Sequence, residues 1–183
     1  MASLNSPYAI LAFPALFQPR SRFDGSTELV YQATLIFPPA SQKSPAYKAM
    51  QDAVISQAKE GFGEQVKLNT LTNPFKDASE KTGVWNGFEP GHTYIKTWSK
   101  SKPGVVDARR EEILLPEEVW AGQMVRANLS ARHWTNSGKR GVTFFLNHIQ
   151  VIRSDGPRID GKASPQKAFD DGEVALEDAD NMF

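Results

Sequence analysis

The chain has 183 residues, 40% of them hydrophobic, and its 13 glycines and 12 prolines favour a turn-rich, β-rich globular domain over a helical bundle. It holds no cysteine, which excludes disulfides, a thiolate nucleophile and zinc sites of the cysteine type. Its formal charge of zero conceals a division: all 21 basic residues but only 15 of the 21 acids lie up to Ala168, so a body of about +6 precedes a tail of about −6.

The first apolar run, residues 8–17 (YAILAFPALF), follows no charged segment and is interrupted by Pro14, so it fits neither a signal peptide nor a membrane span. It reads as an entering strand with Pro14 at a bulge or edge, because proline has no N–H to give a central ladder. Asp24-Gly25 marks a turn. Residues 28–37 (ELVYQATLIF) alternate and then become apolar on both faces, as a central strand does, until Pro38-Pro39 stops them. Ser44 followed by Pro45 is a helix start, with an N-cap hydroxyl and a proline in the first turn. Ala46, Met50, Ala53, Val54 and Gln57 then recur at helical spacing. The pattern predicts a helix over residues 45–59, closed by Gly61 and Gly63.

Residues 66–92 are weakly periodic and read as a long excursion holding at most one short strand. Trp85 and Phe88 within it fit either a hydrophobic cluster that pins the loop or an aromatic flap that stacks on a ligand. Residues 93–99 (TYIKTWS) form the next strand, with Tyr94, Lys96 and Trp98 on one face and Lys100 and Lys102 extending the positive patch beyond it. That face is either core with a snorkelling lysine or an interleaving of rings and cations. Pro116-Glu117-Glu118 predicts a short helical turn.

Two long strands follow, residues 123–134 and 141–152, joined at Asn136-Ser137-Gly138. Val125, Ala127, Leu129 and Ala131 point one way, and Arg126, Asn128, Ser130, Arg132 and Trp134 the other. On the return, Val142, Phe144 and Leu146 oppose Thr143, Phe145 and Asn147. One face is core; the other carries cations, hydrogen-bonding groups and rings. Such a face is either packed under another segment or suited to a single-stranded nucleic acid, whose phosphates take cations and whose bases take rings. Lys139 and Arg140 at the hairpin tip suit a phosphate backbone or a solvated basic turn.

Signals of catalysis are weak. His92, His133 and His148 lack metal-binding spacing, and Asp24, Asp77, Asp107 and Asp155 sit in turns. There is no phosphate-gripping glycine motif, nucleophile elbow or dinucleotide fingerprint. A binding protein without catalytic residues, metal or cofactor is therefore the expectation.

At PGVVDARREEILLPEEVWAG, then GVTFFLNHIQVIR and ASPQKAFDD, the chain resembles a family of bacteriophage single-stranded DNA-binding proteins, formerly described as a domain of unknown function, with a replication protein of an enterobacterial phage among its members. The likeness is strongest over residues 102–171 and continues through YAILAFPALF and ELVYQATLIFPP. It implies an all-β fold with added helices: a five-stranded oligonucleotide-binding (OB) barrel with one helix after the second strand, a long central insertion and a disordered acidic C-terminal tail. It also implies that an acidic tail ending in an aromatic residue recruits replication partners and competes with DNA. Asp178, Asp180, Met182 and Phe183 match that pattern, although no proline precedes the final phenylalanine as it does in bacterial relatives.

Residues 1–160 are accordingly expected to form the DNA-binding domain and residues 161–183 a flexible tail. Sequence-tolerant binding and protection of single-stranded DNA during phage replication or recombination, in the host-cell cytoplasm, is the expected function. A virion or assembly protein and a metal-dependent nuclease are the alternatives, and RNA is a rival ligand. Strand alternation nominates Tyr94, Lys96, Trp98, Lys100, Lys102, Arg126, Asn128, Arg132, Trp134, Lys139, Arg140 and Phe145 as DNA contacts, with Trp85 and Phe88 from the excursion. The expected partners are single-stranded DNA, replication or recombination proteins reached through the tail, and further copies of the chain.

Overall fold

A computed structural model describes residues 2–23 and 25–162, which fold as one eight-stranded sheet with two helices. In chain order these are β1 (Leu4–Asn5), β2 (Ala9–Ser21), β3 (Leu29–Phe37), α1 (Pro39–Gln42), α2 (Pro45–Phe62), β4 (Lys76–Asp77), β5 (Thr93–Ser99), β6 (Gly104–Val106), β7 (Met124–Asn136) and β8 (Lys139–Arg153). The order across the sheet is β1-β7-β2-β3-β5-β8-β6. In addition, β4 pairs with β5, and β7 pairs with β8. The β5–β8 and β6–β8 pairs are parallel, and the other pairs are antiparallel.

The expected five-stranded OB barrel with one helix is corrected here. The sheet has eight strands, and it is not an evenly paired closed wall. Two of its joints are only two residue pairs long: Ala9↔Val125 and Ile10↔Met124 between β2 and β7, and Thr97↔Phe144 and Trp98↔Phe145 between β5 and β8. The cause at the first joint is local. Register shifts interrupt β2 between Ala12 and Ala15 and again before Arg20, in the stretch that contains Pro14. A bulge adds a residue to one strand and bends it, so β2 leaves β7 early. Two helices, not one, follow β3.

The long hairpin is held along its length, from Met124↔Arg153 to Asn136↔Lys139. Its two-residue turn has φ 51° at Ser137 and 78° at Gly138. Left-handed conformations at both turn residues match the twist of paired strands. A register shift at Asn128/Leu129 leaves Asn147 as the extra residue of β8. Its buried positions accordingly pass from Val142, Phe144 and Leu146 to Ile149 and Val151.

Helix α2 begins as its sequence dictates: Ser44 Oγ accepts the Tyr47 N–H at 3.2 Å, with Pro45 in the first turn. It ends at Gly63, whose φ of 94° is costly for a residue with a Cβ. Tyr47, Met50 and Ala58 pack into the main core with Leu11, Leu35, Phe37, Ile95, Leu129, Phe144 and Ile149. The segment after β8 returns across Gly122, where a Cβ would stand 2.2 Å from the Pro157 carbonyl oxygen, so only glycine admits that approach. Buried Gln123 ties this end together. Its Oε1 accepts the Trp120 N–H at 2.9 Å, and its Nε2 donates to the Glu118 carbonyl and to Ser154 Oγ.

A second, smaller cluster lies on the opposite side of β3 and β5, where the excursion folds back over the sheet. It holds Ala12, Ile36, Ala78, Phe88 and Tyr94, with Ile10, Trp85 and Ile159 packed against it.

Candidate nucleic-acid interface

The outer face of β5, β8 and β7 carries the expected chemistry. Trp98 and Phe145 are directly paired in the parallel joint, and their rings meet edge to face with centroids 4.6 Å apart. Both are partly exposed. A cation stands over each: the Arg22 guanidinium 4.1 Å from the Trp98 centroid, and that of Arg132 5.1 Å from Phe145. Register explains the placement of Arg132 and Phe145, because Arg132 faces Thr143 and Ser130 faces Phe145 on the same side of the hairpin.

Around this pair opens a groove of about 740 Å³, lined on one side by Lys96, Trp98 and Phe145 and on the other by Arg132, Trp134 and the excursion residues Asn73 and Lys76. The excursion is anchored to the hairpin by the Thr72 N–H, which donates to the Arg140 carbonyl at 2.9 Å. Gly141 permits this contact, since a Cβ there would come within 2.6 Å of the Thr72 carbonyl oxygen.

Other nominated residues lie elsewhere. Arg126 is at the far end of β7, its Nε donating to the Ser6 carbonyl at 3.5 Å and its guanidinium 5.9 Å from the Tyr8 ring. Asn128 is committed within the sheet: its Nδ2 donates to Asn5 Oδ1 at 2.9 Å and its Oδ1 accepts from Asn147 Nδ2 at 3.0 Å. Lys139 and Arg140 sit at the exposed hairpin tip, with Arg140 5.2 Å from the Phe62 ring. Lys102 lies 5.6 Å from the Phe17 ring. Tyr94 lines the groove but is only 4% exposed, and Phe88 is 1% exposed, so neither ring has a free face for a base. Burial, with Glu80 nearby, raises the Tyr94 hydroxyl above the ordinary tyrosine range. Trp85 lies at the edge of the second cluster, with Lys81 4.7 Å and Lys96 5.5 Å from its ring.

Sequence reasoning missed Arg22. It follows β2, and nothing in strand alternation shows that the end of the β2–β3 hairpin reaches Trp98. Glu28, just before β3, links Arg22 to Lys100. Its carboxylate pairs with Lys100 at 3.1 Å and Arg22 at 3.1 Å, and those hydrogen bonds hold its pKa below the usual carboxylate range. Lys100 is thus partly neutralised, as is Arg22.

Among the described residues, no group of three or more His, Cys, Asp or Glu side chains is placed to hold a metal, and no helix is long and apolar enough to cross a membrane. The tail residues Asp178, Asp180, Met182 and Phe183 lie outside the described residues.

Comparison with known proteins adds three findings. A family model described as "Enterobacter phage Enc34, ssDNA-binding protein" matches residues 7–182. A comparison with curated proteins gives no match. Among solved structures, the fold is similar to that of the single-stranded DNA-binding protein from bacteriophage Enc34 in complex with ssDNA. That likeness has a TM-score of 0.70 at 19% identity and covers 85% of this chain and 88% of the other. A second structure of that phage protein gives a TM-score of 0.69 at 18% identity, covering 92% and 90% of the two chains. Gp2.5, a single-stranded DNA-binding protein encoded by bacteriophage T7, gives a TM-score of 0.59 at 16% identity, covering 90% and 98%.

Proposed function

The chain belongs to the Enterobacter phage Enc34 ssDNA-binding protein family, and from that premise we propose that it covers single-stranded DNA through the groove on β5, β8 and β7. One observation carries the assignment of the surface: the Trp98–Phe145 ring pair at 4.6 Å, with Arg22 and Arg132 set over the two rings. Rings give sequence-tolerant stacking of about 1–3 kcal/mol per base, and the cations supply phosphate contacts. Lys96 and Trp134, which line the same groove, extend both kinds of contact.

Binding of this kind protects transient single strands in replication or recombination inside the infected host cell. The acidic stretch after Ala168 (Asp170, Asp171, Glu173, Glu177, Asp178 and Asp180), ending in Met182-Phe183, supplies a negatively charged segment for recruiting replication or recombination proteins. Self-association along a covered strand is compatible with the same role.

Tryptophan fluorescence tests the reading directly, since Trp98 and Trp134 line the groove. Titration with single-stranded DNA, duplex DNA and RNA of equal length is expected to quench most with single-stranded DNA. The affinity should fall steeply between about 50 and 200 mM salt as phosphate counterions are released. Equal affinity for duplex, or affinity indifferent to salt, would overturn the assignment.

A further inference from the structure

A second groove, of about 900 Å³, lies beside the first, where β2, the excursion and the segment after β8 meet. Its walls carry the rings of Phe13, Trp85 and Trp120 and the cations of Arg20, Arg158 and Lys162, together with the acids Glu117 and Asp160. Arg158 stands 5.0 Å from the Trp120 ring while pairing with Asp160. One contact links the two grooves: Lys96, which lines the first, holds its ammonium 5.5 Å from the ring of Trp85, which lines the second.

The backbone singles out one residue here. Phe13 has φ 46°, a left-handed conformation that is strained for a residue with a bulky side chain. It sits in the bulge of β2, and the strain leaves its ring 44% exposed against Trp85, centroids 5.1 Å apart. The ring touches the second cluster, with its centroid 6.2 Å from that of Phe88, yet it stays exposed while nearby Ala12 and Ala15 are buried. Lys81 adds a cation 4.7 Å from the Trp85 ring.

We infer that this second groove continues the DNA path: a strand leaving Trp98 and Phe145 crosses Lys96 and lays its next bases on Trp85 and Phe13. The inference rests on the function proposed above and deepens it, because it makes bound length a property of two adjoining grooves. Longer oligonucleotides then gain affinity through contacts that short ones cannot reach.

The test uses the full chain and oligothymidylates of about 5, 10 and 20 nucleotides, spanning the range of site sizes for such surfaces. Phe13→Gly removes the ring while suiting the backbone conformation, so relief of the positive φ offsets part of the lost Trp85 and Phe88 contacts, and a thermal melt checks that the variant is folded before binding is read. It should bind the shortest oligomer as the parent does and lose about 5-fold or more of the affinity gained by the longest. Lys81→Ala should lower the salt slope for the longest oligomer by about one phosphate contact and leave the shortest unchanged. Identical length dependence in parent and Phe13→Gly, or equal weakening at every length, would overturn the second groove. Trp98→Ala, run beside them on the shortest oligomer, reports on the first groove separately: unchanged binding there removes the primary assignment instead.

Discussion

Tyr94 and Trp98 stand four residues apart on one face of β5 and have opposite fates. Tyr94 is 4% exposed beneath Phe88, whose ring lies 5.0 Å away, whereas Trp98 is partly exposed beside Phe145 and below Arg22. The strand is the same; the cover differs. The excursion folds back over the Tyr94 end and must bury its own apolar side chains to stay there, so Phe88 and Ala78 turn that half of the face into core. At the other end cations replace the cover, and the rings stay available. On the proposed function, a single strand face is thus divided between stability and binding.

Exchanging the two roles is the direct way to break this division. Phe88→Ala should have the largest effect, a loss of about 3–5 kcal/mol of folding stability in urea denaturation, because a fully buried ring leaves a cavity. The fraction that remains folded should bind the shortest oligothymidylate, which reaches only the first groove, nearly as before. Trp98→Ala should do the reverse, weakening binding by about 1–3 kcal/mol in a fluorescence or anisotropy titration while changing the melting temperature far less. If Trp98→Ala unfolded the protein and Phe88→Ala spared it, the division would be drawn at the wrong place. Arg132→Ala should be milder, lowering the slope of log affinity against log salt by about one and weakening all sequences alike.

The smallest expected effect is a gain. Glu28→Gln frees Arg22 and Lys100 from a shared carboxylate and should raise affinity at low salt by up to about 5-fold, in keeping with an exposed ion pair. Acid should act in the same direction. Lys100 and Arg22 favour the ionised carboxylate, so its contribution to folding is present at neutral pH and is lost as pH falls through its depressed pKa. The same fall releases both cations toward DNA. An unchanged affinity in Glu28→Gln would show that Arg22 acts through its place over Trp98 alone.

The sequence made the local rules legible. Alternation located β5 at Thr93–Ser99 and the β7–β8 hairpin with its turn, Ser44-Pro45 located the start of α2, and Pro14 located the irregularity in β2. Alternation also put Arg132, Trp134 and Phe145 on the outward side, where they line the groove. It could not show what covers that side. Whether Phe88 is sealed or free depends on how residues 63–92 return to the sheet, which is set by contacts such as Ala78 N–H to the His92 carbonyl at 3.0 Å and carries no periodic signature. The bulge at Asn147 was hidden for a similar reason, since one extra residue shifts the inward positions without disturbing the apolar count. Strand number was misjudged because β1, β4 and β6 span only two or three residues, too few for a period to register.

The pairing of Leu4 with Leu129 and of Ala9 with Val125 has a consequence for the making of the protein. β1 leaves the ribosome long before its partner β7 exists, whereas β2 is soon followed by its main partner β3 and waits for β7 only at Ala9 and Ile10. The β7–β8 hairpin closes through a two-residue turn and therefore at little entropic cost once synthesised. β1 and the Ala9–Ile10 end of β2 find their partners only on this hairpin. Until residue 153 has been translated, β1, the start of β2 and the Thr97–Trp98 edge of β5 lack these partners, so a chain stopped before that point is expected to expose strand edges and to aggregate in place of a shorter functional protein.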